Sequence, residues 1–283
     1  MAMPVEFSQR AFLNGRIDLM QAEAVMGVIQ AKTEAALRNA TQQMAGELSR
    51  RIGLHRQALL NELAHIEASL DYPEEDIGSP VAGNLASFLQ QTQQDFAKLL
   101  ASAQAGRVLR EGLRTVIIGR PNVGKSTLLN ALIGEERALV TDIPGTTRDS
   151  IEEYINIRGI PLQIIDTAGL RESTDKVELL GMQRTRASMD SAGLILLMID
   201  ASAPIGESDL AILRRLPTVP VIIVVNKIDL PQLADLTDWQ DLTRKYPVVS
   251  LSAKQKTGLD TLESLIEQMV FADTAHLSID VCL

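Results

Sequence analysis

The sequence predicts an all-α segment followed by an α/β unit with a mostly parallel sheet and helices on both faces. Residues 1–112 carry apolar side chains at three- and four-residue steps, as amphipathic helices do. From Leu113 onward, short β-branched runs alternate with amphipathic segments, which is typical of buried parallel strands joined by helices. We therefore divide the 283 residues into a partial helical domain (1–112), an α/β domain (113–272) and a short C-terminal tail (273–283).

One long helix dominates the predicted helical segment. Its apolar stripe runs from Leu48 to Leu70, and Pro73 disfavours its continuation. His55 lies on the stripe, where we expect it to pack rather than to catalyse. Asp18 and Gln21 upstream predict a capping box at the start of an earlier helix. The long stripe predicts self-association or loose packing of this segment.

The α/β domain has six predicted strands and four predicted helices. The strands are Thr115–Ile118, Ile151–Ile157, Leu162–Ile165, Leu194–Ile199, Val221–Val225 and Val248–Leu251. The helices are Lys125–Ile133, Val177–Met189, Ser208–Leu216 and Leu259–Phe271. Ligands of such sheets bind beyond the carboxyl ends of the strands, so those ends are where functional side chains are expected.

The composition argues against several classes of protein. A net charge of −9 disfavours sequence-independent binding to a nucleic-acid backbone, which requires clustered lysine and arginine. The longest apolar runs are too short to span a bilayer, and no signal peptide is visible at the N-terminus. The single cysteine, Cys282, cannot form an internal disulfide. We expect a cytoplasmic protein without a membrane partner.

The run from Gly119 to Ser126 matches the phosphate-loop pattern of a P-loop NTPase, and it follows a strand and opens a helix as that pattern requires. Gly119 and Gly124 allow backbone N–H groups to approach a phosphate, and the helix N-terminus adds a favourable field. Lys125 is the candidate catalytic residue that bridges the β- and γ-phosphates, and Ser126 is a candidate Mg²⁺ ligand. The predicted nucleotide contacts of this loop are Asn122, Val123, Gly124, Lys125, Ser126 and Thr127.

Two further segments are predicted to surround the γ-phosphate. Asp166 follows a strand and is placed to hold Mg²⁺ through a water, while the amide of Gly169 can reach the γ-phosphate. Thr146 and Thr147 lie in the long segment from residue 135 to 149, and one of them should complete the Mg²⁺ shell; we select Thr147. A structural Gly-Thr-Thr turn is the alternative for that segment.

The base is predicted to bind at two loops near the end of the domain. The carboxylate of Asp229 can accept two hydrogen bonds from guanine, and adenine offers no such edge. Asn226 can contact the other edge of the base or tie its loop to the phosphate loop, and the Lys227 stem can lie against the base. The second loop is Ser252, Ala253 and Lys254, where the Ala253 N–H is the expected donor to the guanine O6. The expected ligands are therefore GTP and GDP with Mg²⁺.

The glutamine that positions the attacking water in Ras-like GTPases is absent from the corresponding position of this sequence. Leu170 follows the Gly169 of the Asp166–Gly169 motif and cannot orient a water molecule. Arg148 and Arg171 are nearby cations, but neither is assigned as an arginine finger. Hydrolysis therefore needs another group to position water and another cation.

Several motifs resemble those of the MnmE (TrmE) family of tRNA modification GTPases, within the TrmE–Era–EngA group. They are residues 119–126, 145–149 and 166–170 in the α/β domain, and residues 10–19, 21–24 and 72–77 in the helical segment. The resemblance implies a G domain inserted in a helical domain, with hydrolysis stimulated by K⁺ when two G domains form a homodimer. It implies that Glu178 positions water through further waters, and that K⁺ is held by Asn122, Thr141, Ile143 and Thr146.

The resemblance also implies partners for a full-length family member. These are the FAD-dependent protein MnmG and the tRNA whose wobble uridine is modified with a folate-carried one-carbon unit. Against the family pattern, we expect the folate-binding N-terminal domain to be missing from this sequence. The family's C-terminal Cys-x-Gly-Lys motif is not matched either, since Cys282 is followed by Leu283. We therefore expect a fragment that retains nucleotide binding and hydrolysis.

Two other functions remain open from the sequence. One is a ribosome-assembly GTPase of the Era or EngA type. The other is a GTP-gated assembly module in which hydrolysis is incidental. Specificity for ATP is a further alternative, and Asp229 argues against it.

Overall fold

The structure is a computed structural model that describes residues 3, 5–73, 82–139, 153–165, 189–234 and 245–271. The chain forms two compact units, of which the first contains the residues up to Arg110 and the second runs from Glu111 to Val270. Among the described residues, no helix combines the length and apolarity needed to cross a membrane.

The first unit is built from helices, as the sequence predicts. Its described helices are α1 (Glu6–Leu13), α2 (Leu19–Gln30), α3 (Glu34–Met44), α4 (Glu47–Asp71) and α5 (Ala82–Glu111). The predicted capping box is confirmed at α2, where the Gln21 N–H donates to Asp18 Oδ1 at 2.8 Å and the Asp18 N–H donates to Gln21 Oε1 at 3.0 Å. Thr33 caps α3 in a similar way, through the N–H of Ala36.

Small side chains let α2 and α3 pack closely. Ala24, Ala36 and Ala40 are buried, and a Cβ placed on Gly27 would lie 3.2 Å from the Cβ of Ala40. An ion pair of 2.8 Å between Arg110 and Glu23 joins α5 to α2.

The long predicted helix is α4, and its apolar stripe stays partly open. Leu63 is 50% exposed and Leu70 is 73% exposed in the described part of the unit. His55 packs against Phe96 of α5 with ring centroids 5.1 Å apart, so the expectation of a packing histidine is confirmed. The sequence-based expectation of self-association or loose packing stays a prediction.

The second unit is an α/β domain whose sheet has seven strands in the described residues. They are β1 (Leu113–Ile118), β2 (Ala138–Leu139), β3 (Glu153–Ile157), β4 (Ile160–Ile165), β5 (Leu194–Asp200), β6 (Val221–Asn226) and β7 (Val248–Ser250). The described helices are α6 (Lys125–Arg137), α7 (Glu207–Leu213) and α8 (Leu259–Phe271). The strand order is β2-β3-β4-β1-β5-β6-β7.

The sheet is mostly parallel, which confirms the predicted α/β fold class. Strand β1 pairs in parallel with β4 and β5, and the run continues in parallel through β6 to β7. Only the β2–β3 and β3–β4 pairs are antiparallel among the described strands. All residues of β5 and β6 are buried. Since successive side chains point to opposite faces, both faces of these strands are covered.

Most observed strands begin or end within two residues of their predicted bounds, and the larger differences concern one strand and two helices. Strand β2 was not predicted, because two residues carry no periodicity. Helix α6 continues past the predicted Ile133 to Arg137 across a kink at Gly134, where φ is 40°. Helix α7 ends at Leu213 rather than Leu216, since Pro217 disfavours helical backbone in the residue before it. The predicted helix Val177–Met189 lies outside the described residues except for Met189.

Candidate nucleotide-binding site

The loop after β1 is shaped by two glycines that no larger residue could replace without movement. A Cβ on Gly119, where φ is +150°, would lie 2.5 Å from the carbonyl oxygen of Met198. A Cβ on Gly124, where φ is +100°, would lie 2.4 Å from Nδ2 of Asn226. The loop therefore lies against the backbone of β5 at Gly119 and against the side chain of Asn226 at Gly124, with no room for a Cβ at either position.

The other residues of the phosphate loop and of the first turn of α6 differ in their exposure to solvent. Val123 is buried, whereas Asn122 is exposed with a φ of +61°, a left-handed conformation that asparagine tolerates. Ser126 and Thr127 lie in the first turn of α6 and are exposed. This turn is the N-terminus of a helix, which favours an anion beside it.

Lys125 is held over the loop by backbone carbonyls. Its Nζ donates to the carbonyl oxygens of Gly119 and Arg120, each at 2.8 Å. Burial lowers the pKa of the Lys125 ammonium below its usual range. An ammonium has three N–H donors, so one remains for a phosphate oxygen after these two bonds.

Asn226, at the end of β6, joins the phosphate loop to the second base loop. Its Nδ2 donates to the carbonyl oxygen of Val123 at 2.8 Å, and its Oδ1 accepts from the N–H of Ala253 at 2.9 Å. The residue is 2% exposed. Of the two roles that the sequence left open for Asn226, the structure shows the tie to the phosphate loop.

The carboxylate of Asp229 is incompletely satisfied. Its Oδ1 is buried and has no hydrogen-bond partner within the described part of the chain. Buried carboxylate oxygens are usually bonded, so an unpartnered one calls for a missing donor. A ligand with N–H groups facing this carboxylate would supply it.

Lys227 lies between the base loop and the end of β5. Its φ is +67°, an uncommon conformation for a residue with a side chain. The side-chain Nζ forms an ion pair of 2.5 Å with Asp200 Oδ2. The pair therefore connects the residue that follows β6 to the last residue of β5.

Asp200 is a site residue that the sequence reasoning missed. Besides Lys227, its carboxylate accepts from the N–H and the hydroxyl of Ser202, at 2.9 Å and 2.6 Å. Burial alone would raise the pKa of Asp200, but the hydrogen bonds from Lys227 and Ser202 outweigh it and hold the pKa below the usual range. The signal was present in the sequence, because Asp200 ends a buried strand just as Asn226 does.

The second base loop, Ser252 to Lys254, is held by hydrogen bonds to neighbouring residues. Ser252 is buried, and its hydroxyl accepts from the N–H of Gln255 at 3.1 Å, while Lys254 is exposed. The N–H of Ala253 is directed at Asn226 here, so a guanine oxygen would have to share that donor. Its role toward the base stays a prediction.

Several predicted site residues lie outside the described part of the chain. They are Thr141, Ile143, Thr146, Thr147, Asp166, Gly169 and Glu178. Leu170, Arg148 and Arg171 lie outside it as well. No group of three or more histidine, cysteine or carboxylate residues suited to a metal occurs in the ranges that are described. Of the Mg²⁺ ligands that the sequence predicts, the structure describes Ser126, whose exposed hydroxyl is a hard oxygen donor of the kind that ion prefers.

Comparison with known proteins identifies the family to which the chain belongs. The family model of the MnmE helical domain matches residues 19–281. The chain belongs to this family. The match spans the α/β unit as well as the helices, so the G domain lies within the matched region.

Curated MnmE relatives are similar along almost the whole chain. The tRNA modification GTPase MnmE of Geobacillus thermodenitrificans is 50% identical over 272 residues, which are 96% of this chain and 59% of the relative. The MnmE of Alkaliphilus oremlandii is 46% identical over 271 residues, with the same two coverages. The chain thus spans about three fifths of the length of these relatives. A solved structure of Era from Aquifex aeolicus is 30% identical, with a TM-score of 0.39 over 56% of each chain.

Proposed function

We propose that this chain binds and hydrolyses GTP as the G domain of an MnmE-type protein. The observation that carries the proposal is the buried, unpartnered Oδ1 of Asp229, three residues after the asparagine that ties the phosphate loop to the base loop. The MnmE relatives, which carry the name tRNA modification GTPase, support the same reaction. The family match favours this interpretation over a ribosome-assembly GTPase.

At the base end, the chemistry favours guanine. Guanine presents its N1–H and exocyclic amine as neighbouring donors, and a carboxylate can accept both. Adenine presents no such pair, and a buried acceptor left unpaired costs about 1–3 kcal/mol. Asp229 would therefore favour guanine nucleotides over ATP. Lys227, fixed by Asp200, would cover one face of the ring.

At the phosphate end, the chain supplies donors and a positive field. The backbone N–H groups between Gly119 and Lys125, with the N-terminus of α6, would surround the β-phosphate. Lys125 would give its remaining N–H to an oxygen shared by the β- and γ-phosphates. We assign Mg²⁺ to Ser126, Thr147 and Asp166, the last through a water; the ion would neutralise charge that develops on the phosphates.

Hydrolysis requires an oriented water and a further cation. Leu170 cannot orient water, and we assign that role to Glu178 acting through other waters. We assign a K⁺ site to Asn122, Thr141, Ile143 and Thr146, in the place of an arginine finger. Asn122 suits this role because its side chain is exposed at the tip of the phosphate loop. In this proposal two G domains pair and complete the ion site.

The whole-protein activity is proposed from the relatives. The chain spans 59% of the first MnmE relative, and we propose that the longer protein modifies tRNA together with an FAD-dependent MnmG partner. We also propose that the protein acts in the cytoplasm. Cells that lack the gene should lose the wobble-uridine modification, and the full-length protein should restore it. If the full-length protein does not restore the modification, this proposal is wrong.

Base specificity is tested by changing one atom of the acceptor pair. Asp229→Asn should weaken GDP binding and create a preference for xanthosine diphosphate, because the amide donates where the carboxylate accepted. Titration with fluorescent derivatives of both nucleotides measures the switch. Asp190→Asn, an exposed change of the same kind in the same unit, is the control. If the preference stays with guanine in Asp229→Asn, the proposed base site is wrong.

Hydrolysis is tested by varying the alkali cation and the protein concentration together. Turnover per chain should rise with concentration in KCl and stay low in NaCl, since pairing completes the K⁺ site. Glu178→Ala should lower the rate constant without lowering nucleotide affinity. Equal rates in both salts would refute the K⁺ assignment, and a rate independent of concentration would favour incidental hydrolysis in an assembly module.

A further inference from the structure

An ion pair connects the phosphate loop to helix α7, outside the motifs already described. The Nε of Arg120 lies 2.9 Å from Oδ1 of Asp209, whose side chain is 2% exposed. The Nη2 of the same guanidinium donates to the carbonyl oxygen of Pro204 at 3.4 Å. Arg120 is thus held by the segment between β5 and α7.

The carboxylate of Asp209 is buried for a residue in the first turn of a short helix. Its Oδ2 accepts from the N–H of Gly206 at 3.0 Å, which caps α7, and its Oδ1 faces Arg120. Arg120 Nε is buried and makes no well-aligned hydrogen bond within the described residues, so the contact with Asp209 is chiefly electrostatic. The Arg120 side chain is 24% exposed, whereas the Asp209 carboxylate is buried, so removing Arg120 leaves a buried negative charge uncompensated.

The backbone of Arg120 contacts the predicted catalytic lysine. Its carbonyl oxygen accepts one of the two hydrogen bonds that fix Lys125 Nζ. A shift of Arg120 would therefore move an acceptor that orients Lys125. The side chain of Asp209 and the ammonium of Lys125 are linked through one residue, by its guanidinium on one side and its carbonyl on the other.

We propose that Asp209 is a positioning residue of the phosphate loop, which acts through Arg120 to orient Lys125 for the nucleotide phosphates. The proposal rests on the proposed nucleotide binding and deepens it. Asp209 acts through Arg120 and does not itself contact the nucleotide. The phosphate loop is held on its other side by Asn226, so the two contacts fix the loop from β6 and from α7.

The test separates charge from helix capping and from general stability. Asp209→Asn removes the charge and keeps a side-chain oxygen that can cap Gly206. Glu207→Gln removes an exposed charge from the same helix turn. Leu213→Ala destabilises α7 from its buried end without touching the loop. Each variant is made in the complete chain, beside Arg120→Met.

Two quantities are measured for each variant with GDP and a fluorescent GDP derivative. The first is the nucleotide release rate, and the second is the rise in melting temperature that GDP produces, which reports affinity. In Asp209→Asn and Arg120→Met, release should accelerate about three- to thirtyfold, the range typical of changes that act through a contact network. The GDP-induced rise in melting temperature should fall accordingly. The ratio of GDP to inosine diphosphate affinity should stay constant, since the base site is unchanged.

The two control variants show which result would contradict the proposal. Glu207→Gln should leave both quantities unchanged, and Leu213→Ala should lower the melting temperature of the free protein while preserving the release rate. If Asp209→Asn behaves like Leu213→Ala, its role is structural and the proposal is wrong. Arg120→Met, on the loop itself, decides the question if Asp209→Asn does not fold. Failure of the unsubstituted protein to bind GDP would instead refute the proposed function.

Discussion

The side-chain oxygen of Asn226 accepts a hydrogen bond from the backbone N–H of Ala253 at 2.9 Å, while its Nδ2 donates to Val123. One amide thus connects the ends of two neighbouring strands and the phosphate loop. Because all of these groups are buried, their bonds hold the base loops and the phosphate loop at a fixed separation before any ligand arrives.

Replacing Asn226 should disrupt stability and binding together. Asn226→Ala leaves the carbonyl of Val123 and the N–H of Ala253 without their partners, at a cost of about 1–3 kcal/mol for each group. Urea unfolding measures the loss, and titration with a fluorescent GDP derivative should show weaker binding. Asn130→Ala, on the exposed side of α6, should change neither quantity. Unaltered stability in Asn226→Ala would show that the tie is dispensable.

A methyl group on Gly124 should damage the site by direct contact. Gly124→Ala places a Cβ 2.4 Å from Asn226 Nδ2, so the loop or the amide must move. We expect GDP affinity to fall by about tenfold, since relieving an overpacked contact typically costs about 1–3 kcal/mol and about 1.4 kcal/mol corresponds to a tenfold change. Calorimetric titration with GDP is the measurement.

Gly134→Ala separates that contact from backbone strain. Gly134 also has a positive φ, of 40°, but nothing lies within 4 Å of a Cβ built there. This variant should lose about 1–3 kcal/mol of stability through strain alone and keep its GDP affinity. Equal loss of affinity in both glycine variants would contradict the steric explanation.

The ion pair of Asp200 with Lys227 predicts a pH dependence of stability. The folded pKa of Asp200 lies below its unfolded value of 3.8, so its contribution is present above that value and is lost as the pH falls through the folded pKa. Asp200→Asn should therefore be less stable than the unsubstituted protein near neutral pH. The difference should shrink as the pH falls from about 5 toward about 2.

Urea unfolding of both proteins across that pH range measures the effect. Asp190→Asn, which changes an exposed aspartate of the same unit, is the control and should follow the unsubstituted protein throughout. A stability difference between Asp200→Asn and the unsubstituted protein that does not vary with pH would show that the carboxylate charge is not responsible.

The helical unit offers a prediction of increased stability. Gly53 lies in the middle of α4, has no positive φ, and would meet nothing within 4 Å if it carried a Cβ. Gly53→Ala should therefore stabilise this helix by about 0.5–1 kcal/mol, because alanine restricts the unfolded chain. Thermal unfolding followed by circular dichroism would show the rise. A decrease would mean that this face of α4 is covered in solution.

The sequence by itself determined that a helical segment precedes a mostly parallel α/β sheet, and it supplied the candidates for the site. The β-branched runs predicted six strands because buried parallel strands must be apolar on both faces, and the strand ends then marked Asn226 and Asp229. The capping box at Asp18 and Gln21 was readable because it is a contact over three residues. Local chemistry of this kind needs no knowledge of distant parts of the chain.

The tertiary structure alone decided which distant residues touch. Asp200 and Lys227 are 27 positions apart, and Arg120 and Asp209 are further apart still, so neither pair has a spacing that a local pattern could reveal. The choice between two roles for Asn226 likewise depended on where Val123 falls when β1 and β6 lie in one sheet. The periodicity of apolar residues predicts which face of a helix or strand is buried. The residues that this face contacts depend on the order of the strands in the folded sheet.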